Sequence, residues 1–358
     1  MPRPQRRWRE KGAPSARGRL CCSFGLGAVP LEPALGVVET LELTVGETPK
    51  GVVAKLLVAP EPAPFAVEAV LRGGGALAGD GDSVDGVIWL GRPDGLEQVL
   101  TSHPEVRWVQ LPMAGIERVV ETGVLTDPRF SAVTWTSAKG SYAKPVAEHA
   151  LALALAGLRR LPERARATSW GERAGISLYG EEVTILGGGG IAEELLLLLE
   201  PFGTKATVVR RDPRPLAGAA QVVTTSQLHE VLPGALVVFV ALALVPETVH
   251  IIGDKELALM GSSSWLVNVA RGRHVDTEAL VDALGTGQIG GAALDVTEPE
   301  PLPDGHPLWG LGNCLITPHS ADTDEMTQPL LADRIKDNVE RLALGAPLAG
   351  LVDPIAGY

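Results

Sequence analysis

A chain of 358 residues is too long for one ordinary core and predicts about two domains. With 45% apolar residues and a formal charge of -12 it reads as a folded protein whose acidic body repels phosphate backbones, so no nucleic-acid partner is expected. The longest uncharged apolar run, Gly234 to Pro246, has about 13 residues against the roughly 18 that cross a bilayer, so no membrane is expected either.

The first 30 residues hold seven Arg or Lys against Glu10 alone, which leaves the remainder near -18. MPRPQRRWREKGAPSARGRL lacks apolar periodicity and no signal-peptide core follows it, so residues 1–35 are expected to be a disordered basic tail. An organelle transit peptide has the same Arg-rich, acid-poor composition and stays open as an alternative. Cys21, Cys22 and Cys314 show neither metal-ligand spacing nor an even disulfide framework, which predicts a reducing, cytoplasmic setting and no metal.

From about residue 55, short apolar runs alternate with helical stretches, the pattern of parallel α/β architecture. KLLVAP (55–60), DGVIWLG (85–91), VRWVQLP (106–112) and AVTWTS (132–137) read as strands of a first unit, with helices such as PFAVEAVL between them. From Val146 to Leu158 a helix is apolar on nearly every side; it needs burial all round, which places it at a domain or subunit interface. A second unit has six strands, at 183–186, 206–211, 235–242, 263–270, 291–296 and 314–318, and after about 322 the chain returns to helix. The expected fold class is α/β, with two doubly wound parallel-sheet domains, the second a Rossmann dinucleotide-binding domain.

Gly187-Gly188-Gly189-Gly190-Ile191-Ala192 lies between the strand VTIL and the helix EELLLLLE, a G-x-G-x-x-A pattern in its expected setting. Glycines allow a tight turn and close approach of a pyrophosphate, whose charge meets the free amides at the helix start. Gly187, Gly189, Gly190 and Ile191 are therefore candidate cofactor residues; a glycine-rich turn is the plainer reading. The next strand ends in Arg210-Arg211-Asp212. An acid usually binds the ribose 2'-hydroxyl there, whereas two guanidiniums suit a 2'-phosphate, so NADP(H) is favoured and Asp212 keeps NAD(H) open.

Arg271 follows the fourth strand of this unit, Asp295 and Glu300 close and follow the fifth, and His319 follows the sixth. Ligands of open α/β sheets bind beyond these strand ends. A cation, an acid and an imidazole beside a nicotinamide suit hydride transfer to a 2-keto acid. Arg271 can grip the substrate carboxylate with two donors, and His319 can protonate the oxygen that becomes alkoxide, with Glu300 favouring the charged ring. Singly, Arg271 also reads as a surface charge and His319 as a turn histidine. In TEPEPLP (297–303), proline puts both Glu298 and Glu300 in extended backbone, and local sequence does not choose between them. Of the other histidines, His149 reads as structural and His274 as solvent-facing or near the cofactor's edge. His103, His229 and His250 sit in polar connections without a partner pattern, and His306 anchors a loop with Trp309. Asp276 reads as a helix cap.

Asn268-Val-Ala-Arg-Gly272 with Val275-Asp276, then Leu294-Asp-Val-Thr-Glu-Pro-Glu-Pro-Leu-Pro303, then Thr317-Pro-His319 resemble the D-isomer-specific 2-hydroxyacid dehydrogenases, in that family's order and spacing. Weaker similarity runs from about 55 to 345. The resemblance implies that Arg271 binds the substrate carboxylate, that His319 is the acid/base, and that Glu300, not Glu298, is its partner. It implies that Asp295 faces the nicotinamide carboxamide with Ala270 nearby, and that amides around Ala114 and Gly115, in the loop Leu111-Pro-Met-Ala-Gly115, hold the substrate carboxylate. It divides the chain into a substrate-binding domain, 36–140 plus 323–350, and an NAD(P)-binding domain, 141–322, through which a homodimer would form and bury the apolar helix. Two loops depart from the family: Ser320-Ala-Asp-Thr323 replaces a glycine pair, and ALALVPET (241–248) has Ala243 and Val245 in place of proline and threonine. The expected activity is an NAD(P)-dependent reductase of small 2-keto acids, of the glyoxylate or hydroxypyruvate kind. An NAD(P)-sensing corepressor or scaffold on the same fold is the alternative.

Overall fold

Two wholly parallel sheets organise the chain, which a computed structural model describes over residues 53–357. The basic tail predicted over 1–35, with Cys21 and Cys22, lies outside the described residues. The first sheet comprises β1 (Lys55–Ala59), β2 (Ala76–Leu77), β3 (Gly86–Trp89), β4 (Trp108–Gln110) and β5 (Thr134–Thr136), in the order β2-β1-β3-β4-β5. The second comprises β6 (Glu182–Leu186), β7 (Lys205–Val209), β8 (Gln221–Val223), β9 (Val237–Val240), β10 (Trp265–Asn268), β11 (Gly291–Leu294) and β12 (Cys314–Ile316), in the order β12-β11-β10-β9-β6-β7-β8.

Helices cover both faces of a parallel sheet, so its central strands are buried at every position and nearly continuously apolar instead of alternating. VVFV of β9, WLVN of β10 and GAAL of β11 are each buried at all four positions. The second sheet thus has seven strands where the sequence predicts six, and β2 is likewise unforeseen. Both extra strands are edges of two or three residues, too short for a periodic signal. They form because β1 and β7 present an open ladder, as in the pairing of Val208 with Val222.

The apolar helix runs from Ala143 to Leu158 and packs against helix Gly190–Leu199 and against β10 and β11. Gly157 is required for this approach: a side chain there would stand 2.3 Å from the Trp265 ring. Burial all round is not reached among the described residues. Ala147, Ala150 and Ala154 are buried, whereas Leu151 and Leu155 are half-buried and Ala152 is exposed.

The last helix, Asp324–Leu344, returns to the first sheet, where Leu331, Ile335 and Val339 share a core with Ala66, Ala69 and Val70. Gly73 lets the two layers meet, since a side chain there would lie 2.7 Å from Val339 Cβ. A buried polar network fixes the return. Trp108 Nε1 donates to Thr136 Oγ1 (2.9 Å), and both Thr136 Oγ1 (2.9 Å) and Asn338 Nδ2 (2.8 Å) donate to Gln110 Oε1. Asn338 also takes the Ala349 amide at 2.7 Å and gives to its carbonyl at 3.0 Å. Removing one member leaves buried partners unsatisfied. Asn338→Leu is therefore expected to cost about 3 kcal/mol in urea unfolding; a loss under about 1 kcal/mol would show that the network does not hold the helix.

Candidate active site

β6 and β9 are neighbours although β7 and β8 intervene in the chain, so the strand order reverses between them, and such a point opens a ligand crevice at the carboxyl edge. Gly187 follows β6 with φ of +113°, and a side chain on it would stand 2.3 Å from the Ala241 carbonyl oxygen after β9. The α-carbon of Gly189 faces open space, and Gly189 precedes the helix that begins at Gly190. Open backbone at the positive end of a ten-residue helix fits a pyrophosphate. Half-buried Ile191 lies in the first turn. Arg210 follows β7 and packs its stem over Gly188, with Cδ 2.7 Å from where a side chain would begin. Arg211 beside it is exposed, and Asp212 is paired with Arg214 at 2.7 Å.

At the ends of β10, β11 and β12 stand Arg271, Asp295 and His319. His319 Nδ1 lies 2.6 Å from Glu300 Oε1, and no group among the described residues bonds Nε2. The ring's backbone has φ of +50°, an uncommon conformation for a side chain of this size, held by the His319 amide donating to the Asp295 carbonyl at 2.8 Å. With Glu300 accepting from Nδ1, Nε2 is the nitrogen left to face a reactant. Glu298 points elsewhere, to His250 (3.0 Å) and Arg273 (3.8 Å). The two glutamates that local sequence could not separate thus have different partners.

Arg271 bridges to the first sheet. Its Nε is 3.3 Å from Glu117 Oε1, and Nη1 donates to the buried Ala270 carbonyl at 2.7 Å. Its Nη2 touches Gly115, where a side chain would stand 1.7 Å from it. The amides of Ala114 and Gly115 have no acceptor among the described residues. A guanidinium therefore lies against a loop with two amides that no described residue engages, a set of donors that suits a carboxylate.

Asp295 is almost fully buried. Burial raises its carboxyl, but hydrogen bonds from His149, Thr317 and the Ser320 and Ala321 amides outweigh this and bring it down to about 2. Thr317 Oγ1 donates at 2.6 Å, the two amides at 2.9 and 3.1 Å, and His149 Nε2 lies 3.3 Å away. A depressed carboxyl contributes stability above its unfolded value and loses it as pH falls through the folded one. The shift from 3.8 to about 2 is worth about 2 kcal/mol, present in full above about pH 5 and gone near pH 2. Asp295→Asn, which turns an NH₂ toward these donors, is expected to lose at least that much at neutral pH and to flatten the acid limb of the stability curve. Equal acid limbs in urea titrations of the two proteins would refute this.

Several expectations need correction. His274 is not solvent-facing: it is fully buried, with Nδ1 3.1 Å from the Arg271 carbonyl and Nε2 3.3 Å from that of Ala243. Burial holds its ring below the ordinary imidazole range. His103, His229 and His250 do have partners, Glu105 at 3.7 Å, Glu256 at 2.6 Å and Glu298 at 3.0 Å; the last two lie far off in sequence. His149 is more than a packing residue, since it helps to hold Asp295. Glu117 carries no sequence signal for this contact, because nothing local ties it to an arginine 154 residues away. Asp276 caps its helix as expected, accepting from the Glu278 and Ala279 amides.

Fold and site define a two-domain α/β protein with a dinucleotide crevice and an Arg, Glu and His gathered beside it. Residues 149–321 match the family model "D-isomer specific 2-hydroxyacid dehydrogenase, NAD binding domain". An uncharacterized protein in the proB 3' region of Corynebacterium melassecola is 39% identical over 259 residues, 71% of this chain and 84% of that one. A glyoxylate reductase of Aeropyrum pernix is 33% identical over 230 residues, 61% of this chain and 69% of the relative. A solved D-isomer specific 2-hydroxyacid dehydrogenase from Xanthobacter autotrophicus Py2, in complex with NADPH and MES, superposes with a TM-score of 0.73 at 28% identity, covering 86% of this chain and 100% of that one. The chain belongs to the D-isomer-specific 2-hydroxyacid dehydrogenase family of NAD(P)-dependent oxidoreductases.

Proposed function

We propose that this protein reduces small 2-keto acids of the glyoxylate and hydroxypyruvate kind with NADP(H), as a cytoplasmic homodimer. The observation that carries the reading is the imidazole of His319 held by Glu300 at 2.6 Å with Nε2 unbonded by any described residue, together with Arg271 lying against the loop of Ala114 and Gly115, whose amides have no acceptor among the described residues. In this reading Gly187, Gly189, Gly190 and Ile191 receive the pyrophosphate, and Ala270 and Asp295 border the nicotinamide. A bound nicotinamide would supply the hydride. Arg271 and the two amides orient the keto acid by its carboxylate, and His319 Nε2 delivers a proton to the carbonyl oxygen while Glu300 stabilises the charge on the ring. The second sheet serves as the cofactor domain (141–322), and the first, with 323–350, as the substrate domain.

Two arginines after β7, one packed on the glycine loop, support NADP(H), and pairing of Asp212 with Arg214 weakens its claim on a ribose hydroxyl. The half-covered helix Ala143–Leu158 and the exposed Leu161, Trp170 and Tyr179 that follow it support a second copy as cover. The test is oxidation of NADPH and of NADH by purified protein with glyoxylate, hydroxypyruvate and pyruvate. NADPH is expected to be preferred about tenfold or more with the first two acids, since each well-placed charged contact is worth on the order of 1–3 kcal/mol. No keto-acid-dependent oxidation with either nucleotide would leave the scaffold reading in its place.

A further inference from the structure

The loop after β4, Leu111-Pro-Met-Ala-Gly115, is held by its carbonyls. Gln110 Nε2, inside the buried network, donates to the Leu111 carbonyl at 2.9 Å. The next two carbonyls are taken by the connection that leaves β5 for the apolar helix: the Tyr142 hydroxyl donates to that of Pro112, and the Ala138 amide to that of Met113 at 2.9 Å. Ala138 and Tyr142 are both buried. The connection is itself clasped, because Arg334 of the last helix donates to the Ser137 and Lys139 carbonyls, at 3.1 Å each. Three consecutive carbonyls of the loop are thus engaged, while the amides of Met113, Ala114 and Gly115 have no acceptor among the described residues.

The peptides on either side of Met113 are trans, and in a planar trans peptide the N–H points opposite to the C=O. Holding the Pro112 carbonyl therefore aims the Met113 amide, and holding the Met113 carbonyl aims the Ala114 amide. Gly115, against which Arg271 Nη2 lies, comes next. The Ala138 donor is main chain and survives any substitution but proline. The Tyr142 donor is a single oxygen on a ring that phenylalanine would pack as well, so packing alone does not ask for it. We infer that Tyr142 is a positioning residue: reaching from the start of the apolar helix to the Pro112 carbonyl, it holds the loop amides in the direction that binds the substrate carboxylate. The inference rests on the reading of that loop as the carboxylate site. The phenol acts at one remove, through the Pro112–Met113 peptide. A misdirected amide weakens the bound acid before and during reaction alike, so the loss falls on affinity and not on turnover.

The test is calorimetry of oxamate, an unreactive acid, on NADPH-loaded wild type, Tyr142→Phe and, for reference, Arg271→Ala, beside steady-state kinetics with glyoxylate. Tyr142→Phe is expected to weaken oxamate and to raise KM for glyoxylate by about tenfold each, while kcat and NADPH affinity stay within about twofold. A merely structural phenol would instead lower NADPH affinity and unfolding temperature together with oxamate affinity, and that result overturns the inference. Oxamate weakened in Arg271→Ala but not in Tyr142→Phe also overturns it and leaves the carboxylate site standing. Oxamate weakened in Tyr142→Phe alone supports the phenol and removes only the arginine from the grip. Oxamate unaffected in both variants, or unbound by the wild type, removes site and inference together. Tyr142→4-aminophenylalanine, which returns an N–H donor, covers a Tyr142→Phe protein that does not fold: wild-type oxamate affinity supports the donor, and a folded protein with weakened oxamate overturns it.

Discussion

His319→Ala is expected to lower kcat for keto-acid reduction by about a hundredfold to ten-thousandfold while cofactor affinity and folding change little. The ring is exposed, so its loss leaves no cavity, and the turn is held by backbone bonds that alanine keeps, from the His319 amide to the Asp295 carbonyl and from the Ser320 and Ala321 amides to the Asp295 carboxylate. What disappears is Nε2 of His319, which no described residue bonds, at the edge where β10, β11 and β12 end. Because the proton moves in the transition state, the loss falls on kcat, with KM nearly constant. Glu300→Gln can still accept from Nδ1 but cannot stabilise a charged ring, so a smaller fall, about tenfold, is expected there. Steady-state kinetics with a separate titration of NADPH against enzyme alone would check both; an unimpaired kcat in His319→Ala would remove the imidazole from the chemistry.

The second large effect is expected from the smallest change. Gly115→Ala adds one methyl group 1.7 Å from Arg271 Nη2 and 2.7 Å from Glu117 Oε2. Both are ends of flexible side chains, so they can move aside and global stability should drop by less than about 1 kcal/mol. The guanidinium, however, can no longer lie against the open amides of the loop after β4. A charge-assisted two-pronged grip is worth roughly 2–4 kcal/mol, so kcat/KM should fall on the order of a hundredfold, mostly through KM. Thermal unfolding alongside kinetics separates the cases: a large loss of stability would mean that the glycine serves the fold, and unchanged kinetics would place the substrate carboxylate elsewhere.

Central strands were legible in the sequence because a parallel strand buried on both faces is apolar at nearly every position, as in the short β-branched runs VVFV and WLV before Asn268. Edge strands were not: AL and QVV owe their form to a neighbour's open ladder, which is a property of the assembled sheet. The glycine loop was legible because its constraint is local, a backbone turn that a side chain would block at Gly187. The contacts that tune the site were hidden. Glu117 meets Arg271, and His149 meets Asp295 and Thr317, across more than a hundred residues of chain, and no spacing rule carries such pairings. Of the two readings of His274, the solvent-facing one fails because a one-turn helix rolls the ring inward onto two carbonyls, a turn that its flanking arginines do not announce.

The ion pair between Arg271 and Glu117 joins the connection after β10 to the one after β4, and so stitches one sheet to the other. Any hinge motion that widened the cleft would stretch this stitch, and on the proposed reading an entering acid would have to share the guanidinium with Glu117 or evict it. Closure and ligand recognition would then draw on a single cation, so a change that loosens one would be felt by the other.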